Sequence, residues 1–375
     1  MIGAYIILNK NSVTVPVTVN IYSYNIKTVA VGGNHTIIID NNNKLYGWGG
    51  DSSNQLGSAT TTTQYSAIDL NISQVSSIVC GSLHNAALGI NNKLSTWGNP
   101  AQGQLGNNSY SVNTISEIQL PPIRYIECSS NNTYAIGLDG SLSASGGNWD
   151  GQIGNNTTTN TNVFVRVNNI PPISSIHAGN GHVFAIGVDG GLSGWGDNSL
   201  GQIGDNTTIT RLSCVKINLP PVKTISCGSS HTAAVGMDGT LSAWGHNFSG
   251  QLGNGTNTQS LSPIRINNLP PVKSVACGSD YTIALGVNGT VSAWGVNQFY
   301  GTLGNGLIVD SNVPIRLNLT NVEQIYAKYN HIMALGTNGR LSAWGQNSLG
   351  QLGDNTSTVR TTPVNIKLAP NVKIS

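Results

Sequence analysis

Charged residues are scarce in this sequence. Asp, Glu, Lys and Arg make up 9% of the 375 residues, against about 25% in an average soluble domain. The formal net charge is only +2, and 38% of the residues are hydrophobic. Intrinsic disorder needs low hydrophobicity together with high net charge, so the composition excludes a disordered chain. Nucleic-acid binders show clustered Lys and Arg, so we expect no nucleic-acid partner.

Long apolar runs and cysteine pairs are also missing. No run approaches the ~18 apolar residues that a membrane-spanning helix needs. The segment Met1–Leu8 lacks the basic residues that begin a secretory signal. The five Cys include no Cys-x-x-Cys pair, which argues against a disulfide framework and a zinc site. We therefore expect cytoplasmic synthesis, free thiols and no membrane insertion, and leave a final location in a virion or on a surface open.

Catalytic and cofactor-binding signatures are absent as well. The sequence has no Gly-x-Ser-x-Gly, Walker, Gly-x-Gly-x-x-Gly or His-Glu-x-x-His motif. The only Glu residues are Glu117, Glu127 and Glu323, and most Asp residues fall in turn sequences such as Asp139-Gly140. We therefore predict a protein that is not an enzyme, with no catalytic residue, no cofactor and no bound metal.

The sequence does contain a strong internal repeat. A Trp-Gly dipeptide recurs every 48 to 50 residues, and Ser145-Gly146 is a degenerate seventh copy; the intact copies begin at Trp48, Trp97, Trp195, Trp244, Trp294 and Trp344. Thirteen residues before each dipeptide stands one of His35, His84, Asn132, His182, His231, Tyr281 and His331. About nine residues after it comes a tetrapeptide like Gly-Gln-Leu-Gly, as at Gly250–Gly253. Seven copies in one register indicate a repeat architecture.

Each copy has the pattern of four short strands. In the sixth copy these are Val272–Cys277, Thr282–Leu285, Thr290–Trp294 and Pro314–Leu317, in which apolar and small polar residues alternate. Asp-Gly or Asn-Gly pairs before the Trp strand favour type I′ hairpin turns. Four-stranded units bury both faces when they stack radially. The sequence therefore predicts an all-β fold, a seven-bladed β-propeller of four-stranded antiparallel blades.

We expect the propeller to occupy residues 26–375. For residues 1–25 we expect an N-terminal segment of extra strands that closes the ring or adds an edge. Two segments compete to be the last outer strand, Val15–Val19 and Pro363–Ile366, and only one is needed. The pattern does not decide between them, and the spare segment is available for contact with another subunit.

The register His-x-x-Ala-Leu-x-x-Asp/Asn-Gly-x-Leu-x-x-Trp-Gly-x-Asn-x-x-Gly-Gln-Leu-Gly, nearly intact in His231–Gly253, resembles the regulator of chromosome condensation repeat family. The resemblance covers about residues 26–375 and implies the propeller fold. Nuclear members of the family exchange nucleotide on a small GTPase through an inserted wedge, and bind nucleosomes through a basic tail. Here the repeats have nearly uniform length, and one Lys but no Arg precedes residue 20, so both activities fit poorly.

The repeated side chains have structural interpretations. Equivalent His residues on separate blades spread around a ring, whereas zinc ligands must converge at about 2.0–2.1 Å, so we predict hydrogen-bonding roles. Cys80, Cys128, Cys227 and Cys277 share one repeat position with Ala and Val, which indicates a small apolar side chain. We expect the repeated Trp residues to pack between blades.

A binding site should lie where the copies differ. The segment between Trp-Gly and the Gly-Gln-Leu-Gly tetrapeptide carries large aromatics in three copies, namely Trp149, Phe248, Phe299 and Tyr300. Because equivalent loops emerge on one face of the ring, these residues are our candidate partner-binding site. The alternative is that they fold back over their blades, and Trp149 partly replaces the missing Trp at Ser145. A similar β-lactamase-inhibitor propeller uses aromatics in this loop to hold its target.

Three functions compete. The first is a non-catalytic protein-binding scaffold that uses loops on one face. The second is a structural component of a virion or cell-surface assembly, because a surface with little charge opposes close packing only weakly. This second function includes self-assembly or incorporation in a larger complex. The third is a guanine nucleotide exchange factor for a small GTPase, which is implied by the family resemblance alone.

Overall fold

The predicted seven-bladed propeller is confirmed. The computed structural model describes residues 26–58, 61–111 and 113–368, which form seven four-stranded sheets and contain no helix. Each sheet, or blade, uses four strands that follow one another in the chain, and neighbouring strands are antiparallel. Residues 1–25, including the candidate strand Val15–Val19, lie outside the described residues.

The first four blades use residues 26–217. Blade 1 contains β1 (Ile26–Val31), β2 (His35–Asp40), β3 (Leu45–Gly49) and β4 (Gln64–Asp69); blade 2 contains β5 (Val75–Cys80), β6 (His84–Gly89), β7 (Leu94–Gly98) and β8 (Ser116–Ile118); blade 3 contains β9 (Ile123–Cys128), β10 (Asn132–Gly137), β11 (Leu142–Gly146) and β12 (Thr161–Val167); blade 4 contains β13 (Ile173–Ala178), β14 (His182–Gly187), β15 (Leu192–Gly196) and β16 (Arg211–Ile217).

The remaining three blades complete the ring. Blade 5 contains β17 (Val222–Cys227), β18 (His231–Gly236), β19 (Leu241–Gly245) and β20 (Ser260–Ile266); blade 6 contains β21 (Val272–Cys277), β22 (Tyr281–Gly286), β23 (Val291–Gly295) and β24 (Ser311–Arg316); blade 7 contains β25 (Val322–Lys328), β26 (His331–Gly336), β27 (Leu341–Gly345) and β28 (Arg360–Ile366). The candidate Pro363–Ile366 therefore lies in the outer strand of blade 7.

The two ends of the ring carry different segments because successive strands run in opposite directions. The first strand of every blade lines a central channel. We call one end the loop face: it carries the links between first and second strands and the long loops between third and fourth strands. The other end, the turn face, carries the tight turns between second and third strands and the connections between blades.

The tight turns are not of type I′. In blade 3 the amide of Gly140 donates to the carbonyl of Gly137, and Gly140 has a φ of 80° while Asp139 has no positive φ. A type I′ turn needs positive φ at both central residues. The Asp139 carboxylate instead accepts the Ser141 amide at 2.9 Å, which holds the ordinary turn, and only the Gly adopts the left-handed conformation.

One hydrogen-bonded arrangement joins neighbouring blades. At the junction of blades 5 and 6, the backbone carbonyl of Gln251 accepts the Trp294 indole N–H at 2.9 Å and the Thr282 hydroxyl at 2.8 Å. Thr282 Oγ1 lies 3.0 Å from His231 Nε2. Because the hydroxyl has already donated its proton, it accepts from the imidazole, which places the His231 proton on Nε2. The predicted hydrogen-bonding role of the repeat His is therefore confirmed.

The ring closes with the same arrangement. Trp48 and Thr36 of blade 1 donate to the carbonyl of Gln351 in blade 7, at 2.9 and 3.0 Å. His331 of blade 7 meets Thr36 at 3.2 Å. The first and last blades are therefore joined in the same way as blades 5 and 6, through side chains and a shared apolar cluster.

Two junctions lack the His, and both also lack its acceptor. Between blades 3 and 4, Asn132 replaces His and Val183 replaces Thr, and the Tyr134 hydroxyl donates to the Gln152 carbonyl at 2.9 Å. Between blades 6 and 7, Tyr281 replaces His and Ile332 replaces Thr, and the Tyr281 hydroxyl reaches a backbone carbonyl. A buried imidazole N–H therefore occurs only where the following blade supplies an acceptor.

The repeated Trp residues pack between blades, as predicted. The six Trp of the Trp-Gly copies are fully buried. Each packs in the apolar cluster of the preceding blade, as Trp294 does in the cluster of blade 5. The last Gly of the preceding tetrapeptide lies against the indole: a Cβ on Gly253 would overlap Trp294. The tetrapeptide and the Trp are therefore two halves of one contact.

Blade 3 replaces its missing Trp with Phe164, so the expectation that Trp149 substitutes for it is wrong. Ser145 is fully buried and too small to fill the space. The ring of Phe164, in β12, packs against Gly106, and a Cβ on this Gly would overlap the ring. In the other blades a Trp indole packs against the equivalent Gly. Trp149 is 59% exposed instead.

Removal of a junction acceptor should destabilise the ring. Thr282→Val leaves the buried His231 N–H without a partner, and we expect the free energy of unfolding to fall by about 1–3 kcal/mol. The measurement is urea denaturation followed by tryptophan fluorescence. Thr258→Val, at an exposed Thr, is the matched control and should stay within about 0.5 kcal/mol of wild type. Equal stability of the two variants would contradict the role of the junction.

Phe164 should contribute to stability while Trp149 should not. We expect Phe164→Ala to lower the free energy of unfolding by about 2–4 kcal/mol, since it leaves a cavity between blades 2 and 3. Trp149→Ala should change it by less than about 0.5 kcal/mol because that side chain is mostly exposed. The reverse order in denaturant titrations would restore Trp149 as the substitute.

The buried His residues should make the fold acid-sensitive. Burial lowers the pKa of His35, His84, His177, His182, His231 and His331 to about 3 or 4. Below about pH 6.5 the unfolded chain then binds more protons than the folded one, so stability is lost as the pH falls toward the folded pKa values. Burial raises the pKa of Glu127 to about 7, which acts in the opposite direction over the same range.

We therefore expect the urea midpoint to be lower at about pH 5 than at about pH 7.5, because six imidazoles outweigh one carboxyl. In Glu127→Gln the decrease should be larger, since the opposing group is gone. A midpoint that is unchanged or higher at the lower pH would show that the imidazoles are not held neutral.

Candidate functional site

The long loops of the loop face are organised by an Asn that follows Trp-Gly. In blade 5, Asn247 is fully buried, and its Nδ2 donates to the backbone carbonyls of Thr256 and Thr258 at 3.0 and 2.9 Å. Its Oδ1 accepts the Leu252 amide at 2.9 Å. The same contacts recur at Asn148, Asn198, Asn297 and Asn347. Each of these five loops, in blades 3 to 7, is therefore tied at its base.

The candidate aromatics stand on these tied loops. Trp149 is 59% exposed, and Phe248 and Phe299 are each 68% exposed. Tyr300 is half-buried, with its ring centroid 6.3 Å from that of Phe299. The ring of Phe248 lies edge-on against His246, with centroids 4.8 Å apart. The structure thus places all four residues on the loop face and leaves three of them open to solvent.

Carboxylates accompany the aromatics. A pocket of about 290 Å³ beside Trp149 is lined by Asp150 and Asp197. Burial, and then the charge of Asp197, raise the pKa of the Asp150 carboxyl above its ordinary value. Asp197 accepts a hydrogen bond from the Gln202 amide at 2.6 Å. The carboxyl groups flank an exposed indole, so the pocket suits a cationic group more than an anionic one.

A third carboxylate lies beside His246, the residue whose ring packs against Phe248. Asp280 is 3.4 Å from the His246 ring and accepts the Gln251 amide at 3.0 Å. The hydrogen bond from His246 holds the pKa of Asp280 below its ordinary value. Asp280 therefore stays ionised, and its charge adds to the acidic character of the loop face.

The central channel holds a cluster that the sequence did not reveal. The channel encloses about 430 Å³, and the side chains that line it include Glu127, His177 and Lys328. Lys328 of blade 7 spans the channel and donates to the carbonyls of Cys80 and Cys128 at 2.6 and 2.8 Å. Other blades have a small residue at this position, such as Gly81 or Ser129. A Lys at a position where most blades have Gly is the one sequence feature that could have predicted these bonds across the channel.

Tyr329 strengthens the same crossing. Its hydroxyl donates to Ser130 Oγ at 2.8 Å, and its backbone carbonyl accepts the Ser279 amide at 2.8 Å. Blade 7 is thereby tied to blades 3 and 6 at the loop-face end of the channel. Lys328 donates to two backbone carbonyls on other blades, so the crossing holds the wall of the channel together.

The thiols in the channel wall are inert. Burial raises the pKa of Cys128 and of Cys277 to about 12, so both are protonated and poor nucleophiles at neutral pH. All five Cys are free. Over residues 26–58, 61–111 and 113–368, no group of three His, Cys, Asp or Glu side chains is placed to hold a metal ion. The same residues contain no helix that is long and apolar enough to cross a membrane.

Solved structures share this architecture. Human WBSCR16 is 20% identical with a TM-score of 0.75, and the match covers 83% of this chain and 86% of that one. Prp20p from Saccharomyces cerevisiae is 19% identical with a TM-score of 0.78, and the match covers 86% of each chain. A structure of Kap60 bound to yeast RCC1 (Prp20) gives 18% identity and a TM-score of 0.77, covering 93% of this chain and 86% of that one. At these identities the likeness concerns the fold.

Sequence profiles identify the family. No curated protein sequence matches this chain. The profile of the RCC1-like domain matches residues 8–267, and that of the regulator of chromosome condensation (RCC1) repeat matches residues 272–301 and 322–351. These matches cover more than half of the chain and agree with the seven blades described above. The protein belongs to the RCC1-like domain family.

Proposed function

We propose that this protein is a non-catalytic protein-binding scaffold that holds its partner on the loop face, through Trp149, Phe248, Phe299 and Tyr300. The observation that carries the proposal is the exposure of three large aromatic side chains on a single face. Such side chains are enriched at the centres of protein interfaces, where each contributes about 2 kcal/mol or more when it becomes buried.

The loops that carry these aromatics are already ordered. Asn148, Asn247 and Asn297 hold the bases of the three loops through buried hydrogen bonds. Ordering a flexible loop on binding costs free energy, and a loop that is fixed beforehand avoids that cost. A rigid aromatic surface is therefore suited to bind a folded partner with little rearrangement.

The charges of the loop face favour a basic partner. Asp150 and Asp197 line the pocket beside Trp149. Asp280 contacts His246, whose ring packs against Phe248. An Arg side chain can stack on an indole while it pairs with a neighbouring carboxylate. We therefore expect Arg or Lys residues of the partner to occupy the pocket between Trp149 and Asp197.

Relatives support a protein as the partner. The structure of Prp20p concerns its binding properties to Gsp1p and histones, and another structure shows Kap60 bound to the same protein. Propellers of this type thus act as platforms for other proteins. Nucleotide exchange rests on family likeness alone, and no feature of the described residues favours it for this chain.

Replacement of the aromatic residues should abolish partner binding. The loop-face variant carries Trp149→Ala, Phe248→Ala, Phe299→Ala and Tyr300→Ala. In affinity capture from native extract, wild type should retain a protein that this variant loses, as identified by mass spectrometry. A rim variant, Val163→Ser with Val313→Ser, alters exposed apolar residues of outer strands and should retain the partner. Circular dichroism and thermal melting establish that each variant is folded.

A charge variant refines the same experiment. Asp150→Asn with Asp197→Asn should lower the association rate of the captured partner and weaken the salt dependence of binding, because carboxylates steer a basic partner. A partner that the loop-face variant still holds would contradict the proposed site. If neither salt nor the two Asp substitutions changes the association rate, the proposed basic character of the partner is wrong.

A further inference from the structure

An arc of exposed aliphatic side chains crosses the turn face. Five consecutive blades, 2 to 6, place an aliphatic residue at the same position of the tight turn, and these residues are 55–72% exposed: Ile90, Leu138, Val188, Met237 and Val287. Blades 1 and 7 carry Asn41 and Thr337 at this position. We call these five residues the aliphatic arc. Together they give five neighbouring blades exposed apolar side chains on one face, and exposed apolar surface is a feature of interaction sites on soluble domains.

The arc is held rigidly. In blades 3 to 6 the backbone amide of the arc residue donates to the carbonyl of the second Pro of the Pro-Pro pair that enters the blade, as Leu138 does to Pro122 at 2.9 Å. In blade 2, Ile90 donates to Gln74 at 2.9 Å. The turn behind each arc residue is closed by a further backbone bond, such as Gly140 to Gly137. The side chains are therefore fixed in place before any partner arrives.

Charge is distributed unequally between the two faces. Of the described residues, twelve Lys and Arg lie at the turn-face ends of strands or in the tight turns: Lys27, Lys44, Lys93, Arg124, Arg166, Lys216, Lys223, Arg265, Lys273, Arg316, Arg340 and Lys367. Seven acidic residues share that face: Asp40, Asp69, Glu117, Asp139, Asp189, Asp238 and Glu323. The turn face is therefore basic.

The loop face has the opposite balance. It carries seven Asp, namely Asp51, Asp150, Asp197, Asp205, Asp280, Asp310 and Asp354. Only three described cations lie at that end: Arg211 and Arg360, each paired with an Asp, and Lys328, which is bonded across the channel. One end of the ring is thus acidic and the other basic. The turn face carries the aliphatic arc, and the loop face carries the exposed aromatics together with the exposed aliphatic residues Ile209, Leu307, Ile308 and Val309.

We infer that the turn face of one copy docks on the loop face of another, so that the rings stack head to tail. This inference rests on the proposed function, since it names a second copy of this chain as a partner of the loop face. The aliphatic arc meets the exposed aromatics, and the basic face meets the acidic one. Both surfaces occupy blades 3, 5 and 6 of the same scaffold, so copies stacked nearly in register bring them together.

The stacking contact is heterologous because its two sides are different surfaces. Each added copy presents a free loop face at one end and a free turn face at the other, so the assembly is open and grows with concentration. An anionic bilayer would satisfy the turn face but would leave the loop face uncovered. A second copy covers both, which is why the two faces together favour self-association.

Sedimentation velocity of the full chain tests the inference. The average mass of wild type should rise with protein concentration, and salt should reduce the rise because opposite charges meet at the contact. A turn-face variant, Leu138→Ser with Val188→Ser, Met237→Ser and Val287→Ser, should stay monomeric, and so should the loop-face variant. The rim variant defined above should assemble like wild type.

A mixture of the two variants gives the sharpest result. The loop-face variant keeps an intact turn face, and the turn-face variant keeps an intact loop face. Mixed in equal amounts, they should form dimers and nothing larger, because each pair contains one intact contact and no further one. Restored dimers would also establish that both variants are folded.

Three results would overturn the inference: a wild type that stays monomeric at all concentrations, a mixture that forms no dimers, or a turn-face variant that still assembles. If monomeric wild type co-sediments with phosphatidylserine vesicles and the turn-face variant does not, the turn face binds a bilayer and the stacking is wrong. A different protein captured by wild type and lost by the loop-face variant would then leave the proposed function intact. If wild type neither stacks nor captures such a protein, both the stacking inference and the proposed function are wrong.

Discussion

A single backbone carbonyl at each junction holds the ring together. The second residue of the tetrapeptide, as at Gln251, offers its carbonyl to the following blade. The following blade donates an indole N–H at six junctions and a hydroxyl at most junctions, and at the junction of blades 2 and 3 the donors are the hydroxyls of Thr133 and Ser145. Both donors are buried, so neither can exchange this bond for water without a large loss. The tetrapeptide, the Trp and the Thr are repeated because they are parts of one contact. Blades 1 and 7 meet through the same contact, so the described ring needs no shared strand to close.

The His residues follow from that carbonyl. An imidazole N–H buried at the junction requires an acceptor, and the Thr hydroxyl becomes one only because its own proton is committed to the carbonyl. Where Val183 or Ile332 removes the hydroxyl, the imidazole is also gone, and Asn132 or Tyr281 takes its place. The variation at the His position, which looks irregular along the sequence, is therefore matched to the next blade. Residues that resemble candidate ligands serve as links between blades.

The sequence predicted what repeats and missed what does not. The period gave the blade number, and the burial of the Trp residues and the bonding of the His residues followed from their recurrence. Phe164, which fills the place of a Trp, appears once and comes from another strand of its blade, so no register reveals it. Lys328 is one departure from a Gly position, and its contacts lie across the channel, far along the chain. Exposure of Trp149 and Phe248 depends on side-chain direction, which spacing does not encode.

Symmetry and function make opposite demands on such a scaffold. Residues that join the blades recur in most copies, because each junction uses the same backbone carbonyl as its acceptor. The exposed apolar side chains lie at the tips of loops and turns, with the large aromatics on the loop face and the aliphatic arc on the turn face. Charge follows the same division, with Asp in excess on the loop face and Lys and Arg in excess on the turn face. The small net charge of +2 is the sum over the whole chain and does not show these two opposed faces. Composition reports that sum, whereas a partner meets only one face.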